Sequence, residues 1–205
     1  MTSTTWIFAL GFSAQLLFSA RMIVQWALSE KAKKVVSPTI YWQLSLFGSF
    51  LFFIYGWLRE DFAIILGQII SYYIYIWNLN SKKQWKKIPS LFRLIIVLMP
   101  VAAITFVLYE NNFTEKLFGN IPLGLLLFGS AGQIIFTLRF IYQWWYSKEK
   151  GESLLPAGFW ILSLIGSFMI ISYGIFRKDP VLIIGQSVGF ITYTRNLWLS
   201  KKNQT

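Results

Sequence analysis

Apolar residues along this chain run in blocks of about 19 to 25, broken by short polar or charged connections. The blocks fall near 5–28, 38–58, 61–79, 91–109, 121–146, 156–176 and 179–199. A helix rises ~1.5 Å per residue and a hydrocarbon core is ~30 Å thick, so each block is long enough to cross a bilayer. The pattern predicts seven transmembrane helices. The first block lacks a charged leading region and a small-residue cleavage site, and its equivalent recurs mid-chain, so it reads as a span and not a removable leader. Polar residues inside the blocks keep helical spacing. Gln15, Arg21 and Gln25 share one arc of the first span, Ser45 and Ser49 lie one turn apart in the second with Gly56 beyond, and Asp61, Gln68, Ser71, Tyr75 and Asn78 fall on one face of the third. Small residues in such a seam let helices approach closely in a bilayer.

The same polar pattern occurs twice. Shifted by 118 positions, residues 129–197 overlie 11–79 without a gap, with 26 identities in 69 aligned positions. Gln15 meets Gln133, Arg21 meets Arg139, Gln25-Trp26 meets Gln143-Trp144, and Pro38 meets Pro156. Trp42 meets Trp160, Ser45 meets Ser163, Arg59 meets Arg177, Asp61 meets Asp179, Gln68 meets Gln186, and Asn78 meets Asn196. Register held through the polar loop between Trp26 and Trp42 marks an internal duplication. The fourth block has no counterpart. Each repeat holds three spans, so without an extra crossing the second copy inserts upside down; the fourth span restores its orientation. The reading is therefore an all-α polytopic membrane protein of 3+1+3 plan, divided into a first repeat (1–81), a basic loop plus linker helix (82–118) and a second repeat (119–205).

Charge sets the expected orientation. Under alternation, one side holds Lys31, Lys33, Lys34, Lys82, Lys83, Lys86, Lys87, Arg93, Lys148, Lys150, Lys201 and Lys202, and the other Arg59, Lys116, Arg177 and Lys178. That bias predicts the N-terminus outside and the C-terminus in the cytoplasm, in a multi-pass cell (inner) membrane protein. The net charge of +11 is then a topology signal and does not point to nucleic acid. Trp26, Trp85, Trp144 and Trp145 are expected at the interfacial belt, and Asp61 as the N-cap of the third span.

The chemistry available is narrow. The chain has no histidine and no cysteine, which removes imidazole and thiolate metal sites. Its eight carboxylates sit in connections or at span ends, away from the membrane midplane. Paired-carboxylate hydrolysis and a proton-driven pump are poorly supported, and no cofactor is expected. The polar residues left inside the spans hydrogen-bond and stack. Gln15, Gln68, Gln133 and Gln186 suit sugar hydroxyls, and serve equally as glue between helices. Arg21, Arg139 and Arg195 lie within about two turns of the basic end. Two roles fit them, snorkelling to headgroups or a shared guanidinium cluster that grips a phosphate. The candidate substrate-binding set is Gln15, Arg21, Gln25, Trp42, Ser45, Gln68 and Asn78, with Gln133, Arg139, Gln143, Trp160, Ser163, Gln186, Arg195 and Asn196 from the second copy.

Three-span repeats joined by a lone span resemble the SWEET sugar transporters and the wider PQ-loop superfamily. Within it, the motif string resembles the lipid A biosynthesis N-terminal domain family. The string reads Gln143-Trp144, Pro156, Trp160, Ser163-Leu164, Gly166-Ser167, Tyr173-Gly174, Arg177, Asp179-Pro180, Gly185-Gln186 and Arg195-Asn196-Leu197. The second copy is the closer one; the first has Trp77 where Arg195 stands and Phe62 in place of Pro180. The resemblance implies that the sugar-contacting asparagine of SWEET-like proteins falls on Gln68 and Gln186. The superfamily's Pro-Gln falls near Ala20-Arg21 and Leu138-Arg139, so arginine replaces a hinge and shifts the cargo toward an anion. The family is named for its place ahead of the lipid-A-disaccharide synthase catalytic domain. No such domain fits in 205 residues, so the name implies a pathway more than an activity. The expectation is a non-catalytic transporter or flippase-like protein for a lipid-phosphate-linked saccharide. The alternatives are a facilitator of a small free sugar, or an anchoring or regulatory partner of a membrane glycosyltransferase. Oligomeric state and energy coupling stay open at this point.

Overall fold

The computed structural model describes residues 2–109 and 121–202. The predicted outer loop, with Glu110, Glu115 and Lys116, lies outside them. Among the described residues the chain is all-helical: α1 (Thr2–Ala32), α2 (Thr39–Leu58), α3 (Phe62–Ser81), α4 (Ser90–Tyr109), α5 (Leu123–Lys150), α6 (Ala157–Arg177) and α7 (Pro180–Lys202), with a short 3-10 turn at Trp85–Lys87.

The ends of these helices follow from identifiable groups. Asp61 caps α3, its Oδ1 accepting from the Ile64 N–H at 3.2 Å, and Asp179 caps α7, accepting from Val181 N–H and Leu182 N–H at 3.0 and 3.2 Å. Each cap satisfies donors that the first helical turn leaves unpaired. Pro38 and Pro156 stand at the N-cap of α2 and α6 with extended backbone. Gly151 ends α5 at φ +73°, the left-handed turn that favours glycine.

Among the described residues, four helices are long and apolar enough to cross a membrane: α1 over Thr5–Ala32, α3, α5 and α6. The chain reads as a membrane protein. Helices α2 and α7 hold more polar and aromatic residues, which lowers their mean hydropathy; several of these are buried, namely Tyr41, Trp42, Ser45 and Ser49 in α2, and Thr192, Tyr193 and Asn196 in α7. The outer faces carry Leu16, Phe47, Phe168, Phe176 and Ile191, all well exposed. Polar groups turned inward and large apolar groups turned outward suit a hydrocarbon solvent.

Helix α1 packs on α2 and α2 on α3; α5 packs on α6 and α6 on α7. The two groups meet along α3–α5 and α1–α7. At the centre, Tyr41–Trp42 and Phe159–Trp160 form matching edge-to-face pairs, both with centroids 4.8 Å apart. Phe140 lies between them, 4.9 Å from Tyr75 and 5.4 Å from Phe159. Helix α4 stands apart from this ring of six. The Tyr73 hydroxyl donates to the Val97 carbonyl at 3.1 Å, and an apolar groove separates α4 from α2 and α3.

Candidate functional site

A polar cavity lies where the two repeats meet. Helices α1 and α5 contribute Gln15, Arg21, Gln133 and Arg139, and helices α3 and α7 contribute Gln68, Tyr75, Gln186 and Tyr193. Its free volume is about 30 Å³, left as narrow gaps between these side chains, with Phe18, Phe52 and Phe136 among the walls. The glutamines interlock across the repeats. A Cβ on Gly67 would collide with Gln133, and one on Gly185 with Gln15, so each Gly-Gln motif leaves room for the other repeat's amide. Gln68 accepts from the Ser49 hydroxyl at 2.9 Å and Gln186 from the Ser167 hydroxyl at 3.0 Å. Gln15 Nε2 finds no acceptor among the described residues.

Arg21 and Arg139 are 3% and 1% exposed. They do not snorkel. Arg21 Nη1 donates to Ser45 Oγ at 2.6 Å and reaches Tyr75 Oη at 3.4 Å, while Arg139 Nη1 donates to Ser163 Oγ at 3.2 Å. Each serine in turn donates to the carbonyl one turn back, Tyr41 and Phe159 respectively, which fixes its lone pairs toward the guanidinium. Aromatic rings surround both cations. Arg21 Cζ lies 4.5 Å from the Phe18 centroid and 5.1 Å from Tyr41; Arg139 Cζ lies 3.3 Å from Phe136 and 5.4 Å from Phe159. Both sit over Phe140, at 5.9 and 4.5 Å. Ring quadrupoles soften the charge without neutralising it. No carboxylate is among the cavity's described lining, and Nε of each arginine lacks an acceptor. A buried cation without an anion is costly, so the cavity is suited to an anionic guest.

Both ends of the cavity are shut by contacts that cross between the repeats. At one end Tyr173 Oη donates to Asp61 Oδ2 at 2.9 Å, and Tyr55 Oη donates to Asp179 Oδ2 at 2.8 Å. Arg177 Nε stands 3.6 Å from Asp61, and Arg59 Nε stands 3.7 Å from Asp179. At the basic end two amide pairs close the seams. Gln25 and Asn196 exchange two hydrogen bonds of 3.0 Å, as do Asn78 and Gln143. Each pair is extended by a serine and a loop carbonyl: Ser29 and Val36 on one side, Ser147 and Leu154 on the other.

The predicted binding set therefore divides. Gln15, Arg21, Gln68, Gln133, Arg139 and Gln186 line the cavity. Ser45 and Ser163 stand behind the arginines and position them. Trp42 and Trp160 are buried within the aromatic core, Trp42 Nε1 donating to Ser37 Oγ at 2.9 Å. Gln25, Asn78, Gln143 and Asn196 bond one another across the seams. Arg195 does not join the other two arginines: its guanidinium points to the surface, 40% exposed, and pairs with Glu30 at 2.6 Å. The reason is position, since Arg195 follows Tyr193 by two residues and so leaves the cavity-facing side of α7. Sequence reasoning read Asp61 as a cap on the polar face of the third span and missed the Tyr–Asp–Arg contacts between repeats. Their signal was the recurrence of Tyr-Gly and Arg-x-Asp in both copies.

The arrangement can bind, orient and stack, but it offers no proton-transferring pair within the cavity. The family described as Lipid A Biosynthesis N-terminal domain matches residues 10–80 and again 128–198. A Chlamydia pneumoniae protein named lipid-A-disaccharide synthase is 31% identical over 208 residues, covering 97% of this chain and 34% of its own length. Similarly named proteins of Chlamydia trachomatis serovar D and Chlamydia felis are 31% and 32% identical over 211 and 209 residues, covering 97% and 96% of this chain and 35% and 33% of their own length. The chain thus spans about a third of the length of the curated relatives it matches. No solved structure matches it.

Proposed function

This chain belongs to the lipid A biosynthesis N-terminal domain family, and we propose that it binds, and moves between the two faces of a membrane, a saccharide linked to a lipid phosphate. One observation carries the reading: two arginines are buried in a shared cavity whose described lining holds no acid. A phosphate diester or monoester supplies the missing charge and accepts from guanidinium N–H groups. The four glutamine amides beside it suit sugar hydroxyls, and the aromatic walls suit sugar C–H faces.

In this reading the units are 1–81, 82–118 and 119–205, arranged as three spans, a linker span and three spans in a cell (inner) membrane. The Asp61–Asp179 end faces outside and the lysine-rich end the cytoplasm, by the excess of cations there. Movement is facilitated by the cargo gradient, because the cavity offers no carboxylate to carry a proton. Gln15, Gln68, Gln133 and Gln186 contact the headgroup, and Arg21 and Arg139 hold the phosphate.

The test is binding of a phosphate-bearing glycolipid to the purified chain in detergent. Arg21→Lys and Arg139→Lys keep the charge and lose the planar fork; each is expected to weaken binding at least tenfold, on the order of 1.4 kcal/mol, with helical content unchanged. Full affinity in both variants sinks the reading. Uptake of a small free sugar into proteoliposomes, indifferent to Arg21→Lys, favours a sugar facilitator instead. A second reading rests on the relatives: they bear the name of a glycosyltransferase and continue well beyond the matched length. Under it the chain anchors or regulates such an enzyme, which predicts stable co-purification with it and no cargo movement by the chain alone.

A further inference from the structure

The groove between α4 and the pair α2–α3 shares no residue with the central cavity. Its walls include Leu46, Phe47 and Phe50 of α2, Tyr72 of α3, and Ile96 and Met99 of α4, and they enclose a volume of about 400 Å³. Packed helices ordinarily lie 8–10 Å apart, axis to axis. Among the described residues, helix α4 makes few close backbone approaches to α2 or α3. A slot left between apolar helices loses the dispersion contacts of every wall atom unless an apolar chain fills it.

The groove also has a polarity. From Gln43 to Phe50 it runs about 10 Å along α2, at ~1.5 Å per residue. One end is formed by Leu79 and Ile88, the residues that bracket Lys82, Lys83, Lys86 and Lys87; Arg93 follows on the first turn of α4. From 79 to 93 there are five cations and no carboxylate in sequence; of the five, Lys82 lies near Glu152 of the loop after α5. Arg93 Nε is buried without an acceptor among the described residues. An apolar slot ending in clustered cations is complementary to a molecule that is apolar along its length and anionic at its head.

We propose that this groove binds one acyl chain of an anionic membrane phospholipid, with the headgroup phosphate held by Arg93 and the lysines of the 82–87 loop. The lipid is structural: it fills the gap beside α4 and seats that helix against the first repeat. It is a site distinct from the cargo cavity and stands whether or not a saccharide is moved.

Native mass spectrometry of the full chain, extracted and then offered equal amounts of phosphatidylglycerol and phosphatidylcholine, reads the site directly. The wild-type chain is expected to retain phosphatidylglycerol preferentially. Arg93→Gln combined with Lys86→Gln should lower that retention about fivefold per cation removed. Ile96→Trp leaves every charge in place, fills the slot, and should abolish retention; Met99→Phe serves the same purpose if the tryptophan variant does not fold. Equal retention of the two lipids by the wild type overturns the proposal, since it means annular lipid only. So does undiminished phosphatidylglycerol retention in a folded groove-filling variant, which would place the lipid on the lysines alone. Displacement of the lipid by inorganic phosphate at matched concentration would likewise overturn it, as the apolar slot would then contribute nothing.

Discussion

Asp61 and Asp179 each use one oxygen within their own repeat and the other across to its twin. Oδ1 caps the following helix, and Oδ2 receives the tyrosine of the opposite copy and faces that copy's arginine. The Arg-x-Asp contacts are thus exchanged between repeats, and nothing in a single copy of the motif records the exchange. Asp61→Asn keeps a capping oxygen but leaves Arg177 without its counter-ion. With that arginine about one-fifth exposed, the loss should be modest, on the order of 1–3 kcal/mol, seen as a lowered melting temperature in detergent. Tyr173→Phe on top of it should cost little more, because the two groups act on the same oxygen. Gly67 tests the glutamine interlock in the same way. Gly67→Ala forces Gln133 out of its place and should destabilise by about 1–3 kcal/mol, with Gln133→Ala restoring part of the loss. A fall in stability that Gln133→Ala leaves untouched would mean that the clash is elsewhere. Candidate glutamines were legible because polar residues in apolar spans are conspicuous. Their division into cavity-lining and seam-closing groups was not, because it depends on which helix of the other repeat lies opposite.

The helices themselves were legible from the length of the apolar blocks, and the larger departures are informative. Helix α1 runs on to Ala32 and α5 to Lys150, beyond the apolar stretches that end near 28 and 146. Buried serines hold these extra turns: Ser29 Oγ accepts from the Val36 N–H at 3.1 Å, and Ser147 Oγ from the Leu154 N–H at 3.0 Å. The returning loop is thereby tied to the helix it has just left, and hydropathy alone carries no trace of such a tie. Beside these serines the two seams diverge. On the α1–α7 seam, Glu30 receives Arg195 and the Trp26 indole N–H. On the α3–α5 seam, the matching positions hold an edge-to-face contact between Trp77 and Trp144, centroids 6.1 Å apart, with Lys148 over Trp144. An exposed ion pair contributes little, so the amide pairs should carry the seams. A double-mutant cycle on Asn78→Ala and Gln143→Ala is expected to give a coupling of about 0.5–3 kcal/mol. A coupling near zero would show that the reciprocal hydrogen bonds do not hold α3 to α5.

At the scale of the whole molecule, the cavity is closed twice, by Tyr–Asp–Arg contacts at one end and by amide pairs at the other. A protein that exposes one cavity to alternate sides needs two closures that can fail independently, and here they differ in chemistry. The carboxylate end loses its charge contacts when both aspartates become asparagines; the amide end has no charge to lose. With no cysteine in the chain, a single reporter can tell which closure has opened. Ser71 lines the cavity and is buried, its hydroxyl donating to Gly67 carbonyl at 2.8 Å. Ser71→Cys in the otherwise native chain should react slowly with a membrane-impermeant maleimide from either side of a vesicle. Adding Asp61→Asn and Asp179→Asn should raise the rate roughly tenfold, the equivalent of ~1.4 kcal/mol off the cost of opening, and only from the side that the aspartates face. Adding Asn78→Ala and Gln143→Ala instead should raise it only from the lysine-rich side. The sidedness of the first variant reports the orientation that the lysine distribution predicts. Equal labelling from both sides in both variants would mean that the two ends do not gate the cavity separately.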